Sequence, residues 1–457
     1  MALTDANDLP ERSLFFRLKA QVQSRLSIEH APAQRMAGTA FIIRVASAAV
    51  VFVSQILMAR WMGSFEYGNY VYVWTWLLLV GDIVHLGLPL TAQRHIPEYI
   101  QRNSLDLLRG YLIASRWLTF GLATAAAIIG AAMVYAVEGS LDRHVVMPLY
   151  LACAALPFYA LSFMLDGMAR SYDWIALALL PHSLLRPILI LALIAGVYVS
   201  GLPLDATTTM LATAIAIWVT ALGQLLVLNG RLAKSVAAGS RSYNVKGWFA
   251  ISLPMISVWG FYTALTTTDV LVLQQFRPAD EVAHYFAASK TLSLVTFVYF
   301  AVAASAAHRF TGYHVAGDRD GLASFAAITI RWIFWPSLAA TLLILALGKP
   351  MLWLFGPSFV NAYPVMFVLA IGLLARAAVG PAERLLIMVG QQRVCALAYA
   401  GAFAVNLTGC LVLAKPYGGM GVAAATSAAF VVESALLFLI AKRRLGLHLF
   451  VWRPAAS

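Results

Sequence analysis

Charge is scarce in this 457-residue chain: Asp, Glu, Lys and Arg make up 11% of it, against 61% apolar residues. Soluble domains run near a quarter charged. Too few polar side chains exist to coat a water-facing surface, which excludes an ordinary soluble domain. Cysteine is scarce too. Cys153, Cys395 and Cys410 lie in apolar stretches without disulfide or metal-ligand spacing, and they read as small packing residues. Catalytic motifs are missing. No Gly-rich loop ends in Gly-Lys-Ser/Thr, no His-Glu-x-x-His occurs, and the nine histidines do not cluster. No loop is long enough to fold as a catalytic domain, so ATP hydrolysis by this chain is not expected. No catalytic residue, metal site or bound cofactor is expected. Alternating apolar and polar residues, the mark of a membrane β-barrel, are also missing.

What the chain holds instead is long apolar runs. Candidate spans lie at 37–59, 69–92, 111–137, 145–167, 174–200, 206–229, 248–273, 284–308, 327–348, 364–389, 394–414 and 418–441. A helix needs roughly 20 apolar residues to cross a bilayer, and in lipid only helices or closed barrels satisfy their own backbone groups. The expectation is an all-α integral membrane protein of about twelve transmembrane helices. Residues 1–35 hold Arg12, Arg17, Lys19, Arg25 and Arg35 and have no signal-peptide pattern. With Leu14, Phe15, Phe16, Leu18, Val22 and Leu26 among the basic residues, they read as a cytoplasmic tail or a short interfacial helix.

The net charge of +12 is distributed as a membrane topology predicts. With the N-terminus in the cytoplasm, cytoplasmic segments carry twenty Lys and Arg, including Arg94, Arg109, Arg231, Arg309 and Arg453, and opposite loops five: Arg60, Arg143, Arg277, Lys349 and Lys415. This asymmetry fits the positive-inside rule with both termini cytoplasmic. It accounts for the basic balance without nucleic acid.

An internal repeat is also legible. Glu66-Tyr67-Gly68-Asn69-Tyr70 and Glu281-Val282-Ala283-His284-Tyr285 both place Glu and Tyr four apart, at an offset of 215 residues. The same offset pairs Arg94 with Arg309 and Arg116-Trp117 with Arg331-Trp332. Six helices per half is an even number, so the halves insert in the same orientation, with a site expected at their interface. The expected organisation is a tail at 1–35, a six-helix bundle at 36–230, a basic linker at 231–247, a second bundle at 248–441 and a basic cytoplasmic tail at 442–457.

Charges inside the spans are the sharpest functional signal, because a cation at a helix centre costs about 2.5–3.5 kcal/mol on insertion scales. Arg44 lies in span one, Arg186 in span five, Lys290 in span eight and Arg376 in span ten. At ~1.5 Å per residue Arg44 sits roughly 10 Å inside the inner surface, and Arg186 and Arg376 sit near mid-membrane. Either they line an aqueous cavity that holds an anion, or they snorkel or pair with acids on neighbouring helices. Arg116 and Arg331, within two turns of the inner boundary, are the better candidates for snorkelling, although the repeat keeps them in the candidate set. Asp82, Asp269 and Glu433 could carry a coupling proton or sodium ion, or act as counter-ions; Asp166 and Glu383 are further acids in the spans. Pro157, Pro181, Pro187, Pro254, Gly260 and the pair Gly380-Pro381 mark helices expected to bend.

Several segments resemble a known family. Ala59-Arg60-Trp61-Met62-Gly63-Ser64-Phe65-Glu66-Tyr67-Gly68-Asn69-Tyr70, then Leu86-Gly87-Leu88 followed by Arg94, is similar to the first-to-second helix region of Wzx-type polysaccharide flippases. Pro254, Asp269, Glu281, Tyr285, Ala287, Ala288 and Ser289 resemble the seventh-to-eighth helix region, and Leu354-Phe355-Gly356-Pro357-Ser358-Phe359 the loop before the tenth. These flippases belong to the multidrug/oligosaccharidyl-lipid/polysaccharide (MOP) exporter superfamily, and the resemblance covers residues 36–445. It implies two six-helix bundles in a V, in a bacterial inner membrane. It also implies an undecaprenyl-pyrophosphate-linked oligosaccharide as substrate for surface polysaccharide, and polymerase and chain-length components as partners. The family has no strict catalytic motif to carry over. A multidrug or cation exporter of the same superfamily would want acids in its cavity. A peptidoglycan-precursor flippase usually has two further helices, and a membrane-embedded glycosyltransferase or polymerase a large extramembrane loop. A purely structural scaffold gives no reason for cations at mid-membrane.

Overall fold

The structure, a computed structural model, describes residues 10–452 apart from 300, 301, 303–309, 311, 314 and 315, with the backbone alone for 10–41. Residues 1–9 of the basic tail, Arg309 and Arg453 lie outside the described residues. Those described are helical and joined by short turns, without a strand. Helix α1 (Pro10–Val84) reverses at Gly63, whose φ of 79° is open to glycine. Its two arms pack antiparallel, and the Tyr67 hydroxyl donates to Gln55 (2.6 Å). There follow α2 (Leu88–Gln101), α3 (Leu105–Val137), α4 (Arg143–Ser171), the bent pair α5 (Ile175–Leu180) and α6 (Arg186–Val199), and α7 (Ala206–Ser235). The second half holds α8 (Val245–Phe276), α9 (Ala279–Ser293), α10 (Arg319–Ala346) and the short α11 (Gly348–Phe355). It continues with α12 (Tyr363–Val379), α13 (Ala382–Met388) and α14 (Gln392–Leu445), which reverses at Gly418.

Among the described residues, nine helical segments are long and apolar enough to cross a membrane. Two of these, 42–101 and 392–445, are hairpins reversed at Gly63 and Gly418, which makes eleven crossings among the described residues. This is the all-α membrane architecture that the apolar runs predict. The bends differ in part. Between α5 and α6 the turn Pro181–Leu185 is wound as a π-helix, and α12 stops before Gly380, which has a φ of 62°. Pro157 and Pro254 lie inside unbroken helices, as membrane helices tolerate when neighbours cover the freed carbonyl.

The repeat is physical. Glu66 Oε2 accepts from the Ala206 N–H at the start of α7 (2.9 Å), and Glu281 Oε1 accepts from the Gly419 N–H just past the reversal in α14 (2.7 Å). Each acid therefore caps the N-terminus of its half's last helix, where a negative charge is favoured. Four residues on, the Tyr70 hydroxyl bonds Thr213 Oγ1 (3.2 Å), and Tyr285, which donates to Asp269 (2.7 Å), also faces Thr426. Gly418 has to be glycine twice over: its φ is 56°, and a Cβ there would strike the Glu281 carboxylate.

Apolar packing divides the molecule along its length. At the end bearing the Gly63 and Gly418 reversals, one core joins both halves, with Met58, Tyr67 and Tyr70 beside Tyr285, Leu352 and Phe359. Towards the other, basic end the core splits. Leu88, Tyr111, Met164 and Trp248 form one part, and Phe310, Ile333, Leu385 and Tyr399 another. Trp248 lies in the first turn of α8 yet packs with the first half and donates to the Tyr99 hydroxyl (3.0 Å). Further along, Val258 and Leu265 of the same helix pack with the second half.

At the joined end the halves are latched. Arg60 donates from Nε to Leu354 O (2.6 Å) and from Nη2 to Trp353 O (2.8 Å), with its guanidinium 4.7 Å from the Trp353 ring. Ser64 bonds Asp280, and Gln275 donates to the Tyr72 hydroxyl (3.1 Å). Gly68 lies against the Ala279 carbonyl so closely that a Cβ would collide with it.

Candidate functional site

Between the two separated cores lies a cavity of about 680 Å³, with Met58 and Tyr70 of the shared core at its closed end. The first half contributes Arg44, Trp74, His182 and Arg186, and the second Tyr262, Arg376, Arg384 and Glu433. The local breaks place these groups. The π-turn Pro181–Leu185 runs directly into Arg186, and the break at Gly380-Pro381 follows Arg376 and precedes Glu383 and Arg384. Irregular backbone at membrane depth is tolerated where it borders such a cavity.

The cations differ in their partners. Arg376 is neutralised: its Nε lies 3.2 Å from Glu433 Oε1, and its guanidinium stands 4.7 Å from the Phe430 ring and 5.3 Å from the Tyr262 ring. Arg186 lies over Tyr159 (5.1 Å) and Trp74 (5.7 Å), with no carboxylate within 4.0 Å among the described residues. Arg44 is exposed on the cavity wall, close to the ion pair of Arg170 with Asp166 (2.9 Å). Four guanidinium groups and two carboxylates, Glu383 and Glu433, therefore line the space and leave it cationic. Aromatic faces are plentiful, from Tyr70, Trp74, Trp259, Tyr262, Tyr299 and Tyr399.

Of the residues singled out in the sequence, the structure brings Arg44, Arg186, Arg376 and Glu433 together in this cavity. The others lie elsewhere. Lys290 on α9 is accessible but does not line this cavity; its Nζ lies 4.9 Å from the Phe286 ring one turn back, on the side of Asp269. Arg116 lies on the outside of the first half, donating to Leu112 O (2.6 Å) and Asn229 Oδ1 (2.5 Å). Arg331 is exposed on α10 beside Trp332, which is 66% exposed. None of these three lines the central cavity. Helices apolar all round give depth but not azimuth, so the sequence could not tell the cavity face from the lipid face.

Asp82 is half-buried just behind the wall, 3.5 Å from Thr263 Oγ1 and facing Tyr159, Trp259 and Arg186, with Oδ1 unbonded among the described residues. Asp269 lies deep in the second half, where it accepts from Tyr285; nearby, Asn406 accepts from Cys410 (3.1 Å) and Thr426 (3.4 Å). His182 and Arg384 also line the cavity, and the sequence reading passed over both. The signal for Arg384 was its place beside Glu383, just past Gly380-Pro381 in an otherwise apolar span.

No protein-family model and no curated protein sequence matches the chain. Solved structures do. A multidrug resistance MATE family transporter of the MOP superfamily, in an inward-facing conformation, aligns with a TM-score of 0.71 at 14% identity, over 89% of this chain and 94% of that one. The fold is that of MOP superfamily transporters. The lipid II flippase MurJ, in an inward closed conformation, aligns with a TM-score of 0.68 at 14% identity, over 88% of this chain and 87% of that one. A MOP superfamily transporter from Pyrococcus furiosus, whose binding pocket is described as reversed in polarity, aligns with a TM-score of 0.64 at 12% identity, over 91% and 96%. The outward-facing form of a MATE family transporter of that superfamily gives 0.67.

Proposed function

We propose that the chain is a flippase that carries a lipid-linked oligosaccharide with an anionic phosphate headgroup across the membrane by alternating access. The observation that carries the reading is Arg186, an arginine at mid-span in a central cavity with no carboxylate in contact. A half-buried guanidinium at this depth with no carboxylate in contact is costly, and an anionic ligand lowers that cost. Arginine also matches phosphate oxygens with paired donors. Arg44 and Arg186 would hold the phosphates on the first half. The aromatic faces around Tyr262, Tyr299 and Tyr399 on the second half would stack on sugar rings, whose C–H faces are apolar. The acyl chain would remain in the bilayer.

In this reading the basic end is cytoplasmic, the membrane is a bacterial inner membrane, and the cavity is open to the side where the saccharide is assembled. Opening the other way requires the latch at Arg60, Ser64 and Gly68 to part. Asp82, Asp269 and Glu433 are the acids that could couple the cycle to a proton or sodium gradient. Export of organic cations, as in a MATE transporter, is the second reading, favoured by the likeness in fold. Glu433 would have to leave Arg376 to serve such a substrate.

Deletion of the gene, followed by mass spectrometry of lipid-linked saccharides, tests the proposal. The lipid-linked pool is expected to accumulate, surface polymer to fall, and wild type but not Arg186→Ala to restore both. An unchanged pool with raised sensitivity to cationic compounds would overturn it in favour of export.

A further inference from the structure

A second hollow lies on the outside of the first half, between α3, α4 and α7. It measures about 470 Å³ and is lined by Ile113, Arg116, Trp117, Phe120, Phe158, Leu161, Leu225 and Asn229. We propose that this crevice binds one anionic phospholipid of the leaflet at the basic end, with its phosphate on Arg116 and Asn229 and an acyl chain along Phe120, Phe158 and Leu225.

The polarity of the crevice follows the depth of its residues. Asn229 lies six residues before the end of α7 at Ser235, roughly 9 Å along the axis. Phe158 lies thirteen residues before the end of α4 at Ser171, roughly 20 Å in. The hollow is therefore almost wholly apolar and runs towards the middle of the membrane, with the Arg116–Asn229 pair at its edge on the basic side, which is the polarity of a phospholipid. The Arg116 guanidinium is held at this edge by its bonds to Leu112 O and Asn229 Oδ1, and no carboxylate lies within 4.0 Å among the described residues. A cation fixed there lacks an anion, and the surrounding leaflet is the nearest source of one. Beside it Trp117, 71% exposed, presents the kind of amphipathic ring that settles at the headgroup layer. The guanidinium lies seven residues, roughly 10 Å, further along α3 than Arg109, which is tied to the Ala237 and Ser240 carbonyls of the α7–α8 loop. Arg116 is therefore out of reach of that loop. Its bonds hold it on the lipid-facing flank, away from the central cavity.

Native mass spectrometry of the purified full chain tests this, titrating dioleoylphosphatidylglycerol against dioleoylphosphatidylcholine. Wild type is expected to retain one phosphatidylglycerol in preference to phosphatidylcholine. Arg116→Gln keeps the length and polarity of the side chain but loses its charge, and is expected to weaken retention of the anionic lipid about tenfold, the ratio set by one charge-assisted phosphate contact. Leu225→Trp, which fills the apolar part and leaves Arg116 in place, is expected to abolish that retention. Equal retention of the two lipids by wild type would overturn the proposal, as would either variant behaving like wild type. Displacement of phosphatidylglycerol by an equal concentration of undecaprenyl phosphate would assign the crevice to a polyprenyl chain and also overturn it.

Discussion

Replacing Arg60 with alanine should shift the protein towards the form that opens at its joined end. Arg60 spans the halves with two hydrogen bonds, to Leu354 O (2.6 Å) and Trp353 O (2.8 Å), and a face-on contact with the Trp353 ring at 4.7 Å. A buried charged hydrogen bond is worth about 1.5–3 kcal/mol, and an exposed cation–π contact about 0.5–1 kcal/mol. Arg60 is exposed, so water competes for both carbonyls, and the latch is worth about 1–2 kcal/mol in total. Since 1.4 kcal/mol is a factor of ten, the ratio of joined to parted forms should fall by roughly 5- to 30-fold. Spin labels at Leu202, between α6 and α7, and Lys415, in α14 just before its reversal, lie at that end in opposite halves and report the distance by double electron–electron resonance once Cys153, Cys395 and Cys410 are replaced. Arg60→Ala should add a longer distance that is minor in wild type, and Arg60→Lys should fall between the two. Superimposable distance distributions for all three would refute the latch.

Other substitutions probe the packing and the repeat. Gly68→Ala places a methyl group against the Ala279 carbonyl and should favour the parted form by about 1–3 kcal/mol, the usual cost of overpacking, read with the same labels. Arg376→Ala leaves Glu433, whose side chain is 3% exposed, without its cation; breaking a buried pair costs about 3–5 kcal/mol. Thermal unfolding should show the loss, and Arg376→Met with Glu433→Leu should recover most of it. Glu66→Ala and Glu281→Ala each uncap the last helix of one half and should lower thermal stability by similar amounts, about 1 kcal/mol each; a large effect from one and none from the other would contradict the physical repeat.

The membrane fold was legible because continuous apolar runs of the right length have one solution in lipid; the reversals at Gly63 and Gly418 were not read from the sequence. The repeat was legible from Glu66 and Glu281, and their capping role explains why that spacing recurs. Bends were harder to read. Pro157 and Pro254 leave their helices intact, whereas Pro181 with Pro187 and Gly380 with Pro381 disturb theirs. At Gly380 the backbone takes a positive φ that ends the helix, and at Pro181 the chain winds wider into a π-turn before Pro187. The site was legible in part. Depth singled out Arg44, Arg186 and Arg376, and the cavity takes these; Arg116 and Arg331, nearer the boundary, and Lys290 lie off its wall. Only packing assigns a face to a helix that is apolar all round. The sequence also could not show that Glu433 engages Arg376 and leaves Arg186 without a carboxylate, since that pairing joins residues 57 apart.

The most direct test of the central claim is transbilayer movement in vesicles containing the purified protein, using a fluorescent undecaprenyl-diphosphate-linked oligosaccharide and comparing wild type with Arg186→Gln. The account predicts that wild type moves the labelled lipid, and that Arg186→Gln folds normally but moves it at least tenfold more slowly. Equal rates for the two proteins, or no movement by wild type while it exports an organic cation from the same vesicles, would contradict it.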